Sequence, residues 1–198
     1  MNVAAAPSPD HRTAPSRLRL VLNVIAFQFG WFACVLGAAH DQPWLGSAVV
    51  AVLVVVHLAT AIRPAVEVRL VAAALVIGVV WETLLLAGGW IEYPTGVVWA
   101  GVAPLWIVML WALFAITLNS SLGWLKGRLL VAAVFGAVGG PLAYWGGVRL
   151  GALVFVEPLF AVIALAVGWA VLTPMLVVLA QRLERHAAKA EASVRLTP

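Results

Sequence analysis

Six long apolar runs, separated by short polar punctuation, account for most of this chain. They extend from about Leu18 to Ala39, Trp44 to Ile62, Val68 to Gly89, Val97 to Asn119, Leu129 to Val148 and Leu153 to Leu179. Each comes close to the roughly 20 residues that an α-helix needs to cross a hydrocarbon core. The pattern predicts an all-α fold, a polytopic bundle of six transmembrane helices. Pro104, Pro141 and Pro174 fall inside these runs; membrane helices tolerate proline because neighbours re-satisfy the freed carbonyls. The first run is too long for a signal-peptide core and carries Asn23, Gln28 and Trp31, so it reads as an uncleaved helix.

Composition agrees. Of the 198 residues, 64% are hydrophobic and 10% charged, against about 25% charged in a soluble domain. The length suits one domain. Residues 1–17, rich in Ala, Pro and Ser, are expected to be a disordered tail. Residues 18–180 form the membrane domain. Residues 181–198 form a basic tail with apolar positions at helical spacing, and Glu191 and Arg195 are placed to pair four residues apart.

Charge then sets orientation. The net charge is +4, and eleven of the twelve Lys and Arg residues fall on one side of the six-helix topology. Arg12, Arg17 and Arg19 precede the first helix, Arg63 and Arg69 flank the 2–3 connection, and Lys126 and Arg128 the 4–5 connection. Arg182, Arg185, Lys189 and Arg195 follow the sixth helix, and Arg149 stands alone on the other side. The positive-inside rule places both termini in the cytoplasm. Cations so placed suit contacts with anionic membrane lipids; no basic stripe marks a nucleic-acid partner. The single cysteine, Cys34, precludes a disulfide within the chain and reads as a small buried apolar side chain.

The fifth run carries Gly139, Ala143, Gly147 and Gly151 at four-residue spacing, with Gly136 and Gly140 as a second pair. Small residues at this spacing let helix backbones approach closely. Helix five is therefore expected at the centre of the bundle; the alternative use of the same face is a homodimer contact.

Candidate chemistry concentrates toward the expected outer face. Glu82 lies about seven residues, roughly 10 Å, inside the outer end of the third run. A carboxyl at that depth should face the bundle interior or a wet cavity. His40, Asp41, Glu92, Tyr93, Tyr144, Arg149 and Glu157 lie toward the same face, and Arg149 is the natural partner for Glu82, Glu92 or Glu157. Trp31, Trp44, Trp81, Trp90, Trp99 and Trp145 also fall in this half. Tryptophan at this depth is ordinarily a headgroup anchor. With Glu82, Tyr144, Arg149 and Glu157, Trp31, Trp81 and Trp145 would instead line an outward-opening pocket with apolar walls. A second set, Asn23, Gln28, His57 and Asn119, lies nearer the cytoplasm and suits interhelical hydrogen bonds, with a proton relay as the alternative.

No zinc-type His-Glu-x-x-His run, Gly-x-Ser-x-Gly elbow or phosphate-binding glycine loop is present. His57 is the only deeply placed histidine, which argues against a bis-histidine haem. No metal or other cofactor is expected.

Three segments carry a family resemblance. Asn23-Val-Ile-Ala-Phe-Gln-Phe-Gly-Trp-Phe-Ala-Cys-Val-Leu-Gly-Ala, Thr117-Leu-Asn-Ser-Ser-Leu-Gly-Trp-Leu and Gly139-Gly-Pro-Leu-Ala-Tyr-Trp-Gly-Gly resemble a domain-of-unknown-function family of small bacterial inner-membrane proteins. The likeness covers about residues 20–180 and leaves out both tails. It implies a bacterial inner membrane and a gene neighbourhood involved in fatty-acyl modification; it transfers no functional residue.

Three readings follow. The first is a non-enzymatic inner-membrane protein that assists envelope lipid modification or stress response and holds a lipid or small amphiphile in its outer half. The alternative is a small-solute-binding membrane component of an uptake system, by analogy of size and helix number with capture subunits of vitamin transporters. An intramembrane enzyme using Glu82 or His57 as proton acceptor ranks last.

Overall fold

The structure is a computed structural model that describes residues 16–196, with side-chain surroundings through Ser193. Apart from Ser16 and Arg17, the expected disordered tail lies outside the described residues. Six α-helices run in order: α1 (Arg17–Ala39), α2 (Pro43–Thr60), α3 (Pro64–Ala87), α4 (Leu105–Leu118), α5 (Leu129–Leu150) and α6 (Pro158–Leu196). All but α4 are long and apolar enough to cross a membrane, so the chain is a multi-pass membrane protein with an all-α bundle.

Local chemistry sets the helix ends. The Ser16 side chain accepts the Arg19 amide at 3.3 Å and caps α1. Pro43 and Pro64 open α2 and α3, where a missing N–H would have lacked an intrahelical acceptor anyway. Gly151, at φ +87°, closes α5 in the left-handed conformation. α3 starts four residues before the expected Val68, which puts Glu67 in its first turn, a favourable place for an anion. α6 has 39 residues, about 58 Å at 1.5 Å per residue. It therefore runs on past any single hydrocarbon core. Its distal part is tied back by Lys126–Glu184 at 2.7 Å and Arg63–Glu191 at 2.9 Å. The Glu191 hydrogen bonds push the Arg63 guanidinium further toward its charged form.

The fourth helix departs from expectation. The apolar run from Val97 predicts a full span, but α4 has 14 residues, about 21 Å. The run is broken where Pro104 holds an extended ψ of 151° and Gly96 and Gly101 adopt φ of +80° and +78°. The segment between α3 and α4 folds as a cap instead. Its strand β1 (Ile91–Glu92) pairs antiparallel with β2 (Val154–Phe155), Ile91 opposite Phe155. Thr95 Oγ1 donates to the Ala38 carbonyl at 2.8 Å, and Trp106 Nε1 donates to the Thr95 carbonyl at 3.3 Å. These bonds anchor the segment to α1 and α4.

The centre of the bundle is α4, not α5. Eleven of its 14 residues are buried, and it packs against α1, α2, α3 and α6. α5 lies at the side and packs chiefly on α6. Of the two glycine spacings on α5, the Gly136 and Gly140 pair makes the close approach. Gly136 and Gly140 face Trp169 and Thr173 of α6 so closely that a Cβ would collide with them, whereas Gly139 has nothing within 4 Å. Other crossings repeat the scheme: a Cβ on Gly78 would strike Trp111, and one on Gly168 would strike Trp81. Large rings seated on glycines bring helices close and gain dispersion contacts, which lipid-embedded helices need in place of a hydrophobic drive.

Gly136→Leu is expected to destabilise the bundle by about 1–3 kcal/mol through overpacking against α6. Gly139→Leu should stay within about 0.5 kcal/mol of the parent. Unfolding in mild detergent separates the two; equal losses would overturn the packing assigned to α5.

Candidate functional site

An ionisable side chain within a membrane bundle costs about 2.5–3.5 kcal/mol on insertion scales, so it faces inward and finds partners. Glu82 does both. It sits on α3 near the end of the bundle opposite the basic turns, and its exposure is 0%. Trp111 of α4 donates its indole N–H to Oε1 at 2.7 Å, and the Tyr144 hydroxyl of α5 donates to the same oxygen. Tyr93, just after β1, reaches down from the cap and donates to Oε2 at 2.6 Å. Three donors from three elements converge on one carboxyl. The arrangement satisfies a buried carboxyl with hydrogen-bond donors in place of a cation. Among the described residues no cation pairs with Glu82.

Trp111 and Tyr144 also form part of the wall of a cleft of about 70 Å³ between α1 and α5, two helices that scarcely touch. The remaining wall is apolar and largely aromatic: Phe27 and Trp31 from α1, Trp106 and Phe114 from α4, and Trp169 from α6. Trp111 and Trp169 stack with ring centroids 4.7 Å apart, and Phe114 meets Trp169 edge-on at 5.4 Å. The rim includes exposed Ala143. A site of this volume holds several waters' worth of matter, and its walls favour apolar matter. Glu82 does not line it but stands one side chain behind.

The other predicted residues divide. Arg149 is exposed in the last turn of α5 and does not pair with Glu82, Glu92 or Glu157. The expected ion pair is thus replaced by the tyrosine and tryptophan donors. A cation at a helix C-terminus is favoured by the carbonyl ends there and needs no carboxylate. Glu157 is exposed just before α6, and Trp145 is 56% exposed and outside the cleft. Trp81 lies against Gly168, its indole N–H buried without a partner, and does not line the cleft. Trp31 and Tyr144 are cleft residues.

At the basic end, Asn23 Nδ2 donates to the Ile116 carbonyl at 3.1 Å, and its Oδ1 accepts from Ser121 Oγ at 2.6 Å. His57 Nε2 lies 3.3 Å from Glu67 Oε2, and Asn119 Nδ2 donates to Glu67 Oε1 at 2.9 Å. These bonds tie the C-terminal end of α4 to α1, α2 and α3. Gln28 is exposed on α1 and takes no part. Sequence reasoning missed Glu67, because the third helix was started one residue after it. It also missed Trp111, Trp106 and Trp169. The available signal was the glycine one helix away: Gly78 for Trp111, and Gly136 and Gly140 for Trp169.

Tyr93→Phe should cost about 1.5–3 kcal/mol, the worth of a hydrogen bond to a charged group. It should also speed amide exchange across residues 88–104, measured by mass spectrometry. Exchange unchanged there would show that the cap does not depend on Glu82.

Neither a curated protein nor a solved structure matches this chain. A family model does, over residues 20–175, and the chain belongs to that family, a protein family of unknown function designated DUF2878.

Proposed function

We propose that this protein sits in the bacterial inner membrane with both termini in the cytoplasm and holds a lipid or small amphiphile in the cleft between α1 and α5. In this reading it is a non-enzymatic accessory to envelope lipid modification or stress response. The observation that carries the reading is the cleft itself: about 70 Å³, aromatic-walled, bounded by two helices that scarcely touch, and ending on side chains held by Glu82. Lipid is the medium around such an opening, so an acyl chain or a small apolar group can enter without crossing water.

The binding role is favoured over catalysis by the state of Glu82. Glu82 is fully buried, takes three donors and stands behind the cleft wall rather than in it, so its carboxyl is not presented to a substrate proton. The uptake alternative gains less support, because clefts that enclose drug-sized solutes run to about 300–1,000 Å³ with several convergent polar groups. The cytoplasmic assignment rests on the charge asymmetry. The turns carrying Arg63 and Lys126 share one end with both helix termini, and the cap lies at the other.

Native mass spectrometry of protein released from nanodiscs is expected to show one retained amphiphile, lost in Ala143→Phe, which fills the rim. Retention unchanged by that substitution would overturn the site. On intact cells, an impermeant maleimide is expected to label Glu92→Cys and spare Arg128→Cys, while Cys34, buried at 0% exposure, stays silent. The reverse pattern would overturn the orientation.

A further inference from the structure

We infer that the cleft selects amphiphiles carrying a quaternary ammonium group, a conclusion that rests on the cleft being an amphiphile site. Seven of the thirteen lining residues are aromatic, and none is cationic. An ammonium ion is attracted to the π face of Trp above all other rings, and aromatic enclosures are the usual means of recognising quaternary ammonium ions. Trp31 from α1 and Trp106 from α4 border this space, together with the stacked pair of Trp111 and Trp169.

The second observation is the placement of Glu82. Trp111 and Tyr144 belong to the wall and donate to Oε1 behind it. The carboxyl is thus coupled to the cleft through two side chains, with no cation paired to it among the described residues. Charge acts over longer range in a medium of low dielectric constant than in water. A cation in the cleft gains from that field, a carboxylate headgroup loses, and a neutral group is indifferent.

The third observation narrows the cation. Glu82 stands behind the wall, and the wall itself presents mainly hydrocarbon and ring surface. A primary ammonium would bury N–H donors without acceptors, at the cost of unmade hydrogen bonds. A quaternary ammonium has no such donors. The group can belong to a lipid headgroup or to a small organic cation from solution, and the test separates these sources.

The purified full-length protein is titrated with hexyltrimethylammonium and with its uncharged carbon isostere, 2,2-dimethyloctane, read by tryptophan fluorescence and native mass spectrometry. The cation is expected to bind at least about tenfold more tightly. Glu82→Gln should bring the two within about twofold by lowering the cation alone. Trp31→Leu, which leaves every Glu82 hydrogen bond in place, should weaken the cation severalfold and spare the isostere, so the outcome does not depend on Glu82→Gln folding. In mixed nanodiscs, retention of phosphatidylcholine over phosphatidylglycerol assigns the ammonium to a lipid; binding of the small cation without that preference assigns it to a solute. Equal binding of cation and isostere, both lost in Ala143→Phe, would overturn the cation selectivity and leave the amphiphile site standing. Binding of neither would overturn both.

Discussion

A carboxyl buried among apolar helices has to collect donors, and the whole upper half of this bundle is arranged so that Glu82 can. Its three partners come from α4, α5 and the cap, so one side chain on α3 fixes the relative position of three elements that share no sequence neighbourhood. Removing any one donor leaves a buried acceptor short in a medium with no water to replace it. The interaction is therefore specific as well as stabilising: only one rotation of α4 and one of α5 put Trp111 and Tyr144 within reach.

The same constraint accounts for the short fourth helix. Because α4 begins only at Leu105, the chain before it is free to fold back and bring Tyr93 to Glu82. The cap segment takes that course, stitched to α1 through Thr95 and to β2 through Ile91 and Glu92. The non-helical segment is anchored by its buried residues Ile91, Tyr93, Ala103 and Pro104, while 97–102 stay exposed. It borrows the carbonyl of Ala38 as acceptor for Thr95 and supplies the carbonyl of Thr95 as acceptor for Trp106.

Helix number and the general depth of Glu82 were legible because they follow from local composition: apolar runs of spanning length, and a carboxyl inside one of them. What was not legible depended on which face of a helix looks inward. Glu82 and Tyr144 could be grouped by depth, yet Arg149 shared that depth and stayed outside, since an arginine in a terminal turn is satisfied by carbonyls and solvent. Gln28 lies within α1 but faces away from the neighbouring helices. Trp111 and Trp169 carry no outward mark of function, because tryptophan is as common in anchors as in walls. The glycines opposite them were the missing signal, and it becomes readable only when the helix pairs are known. Glu67 was hidden by a boundary: Pro64 starts the third helix early, and the carboxyl that binds His57 and Asn119 lies in that first turn.

The position of the cleft follows from the same packing rule. α3 meets α4 and α6, and α5 meets α6, through a ring laid on a glycine: Trp111 on Gly78, Trp81 on Gly168, Trp169 on Gly140. Each such pair lets two backbones close together and leaves no void. Between α1 and α5 the edge of Trp31 approaches Gly146, at 3.1 Å from where a Cβ would stand, and Ala39 approaches Gly151; elsewhere the helices remain apart. The cleft lies where α1 and α5 stay apart, walled by the rings of α4 and α6. An empty apolar space forfeits dispersion on every wall, and in a membrane the matter available to restore it is the surrounding amphiphile. The cleft's occupant then sits against aromatic rings with the Glu82 carboxyl one side chain behind them, so the interaction that organises the bundle also sets the electrostatic character of the cleft.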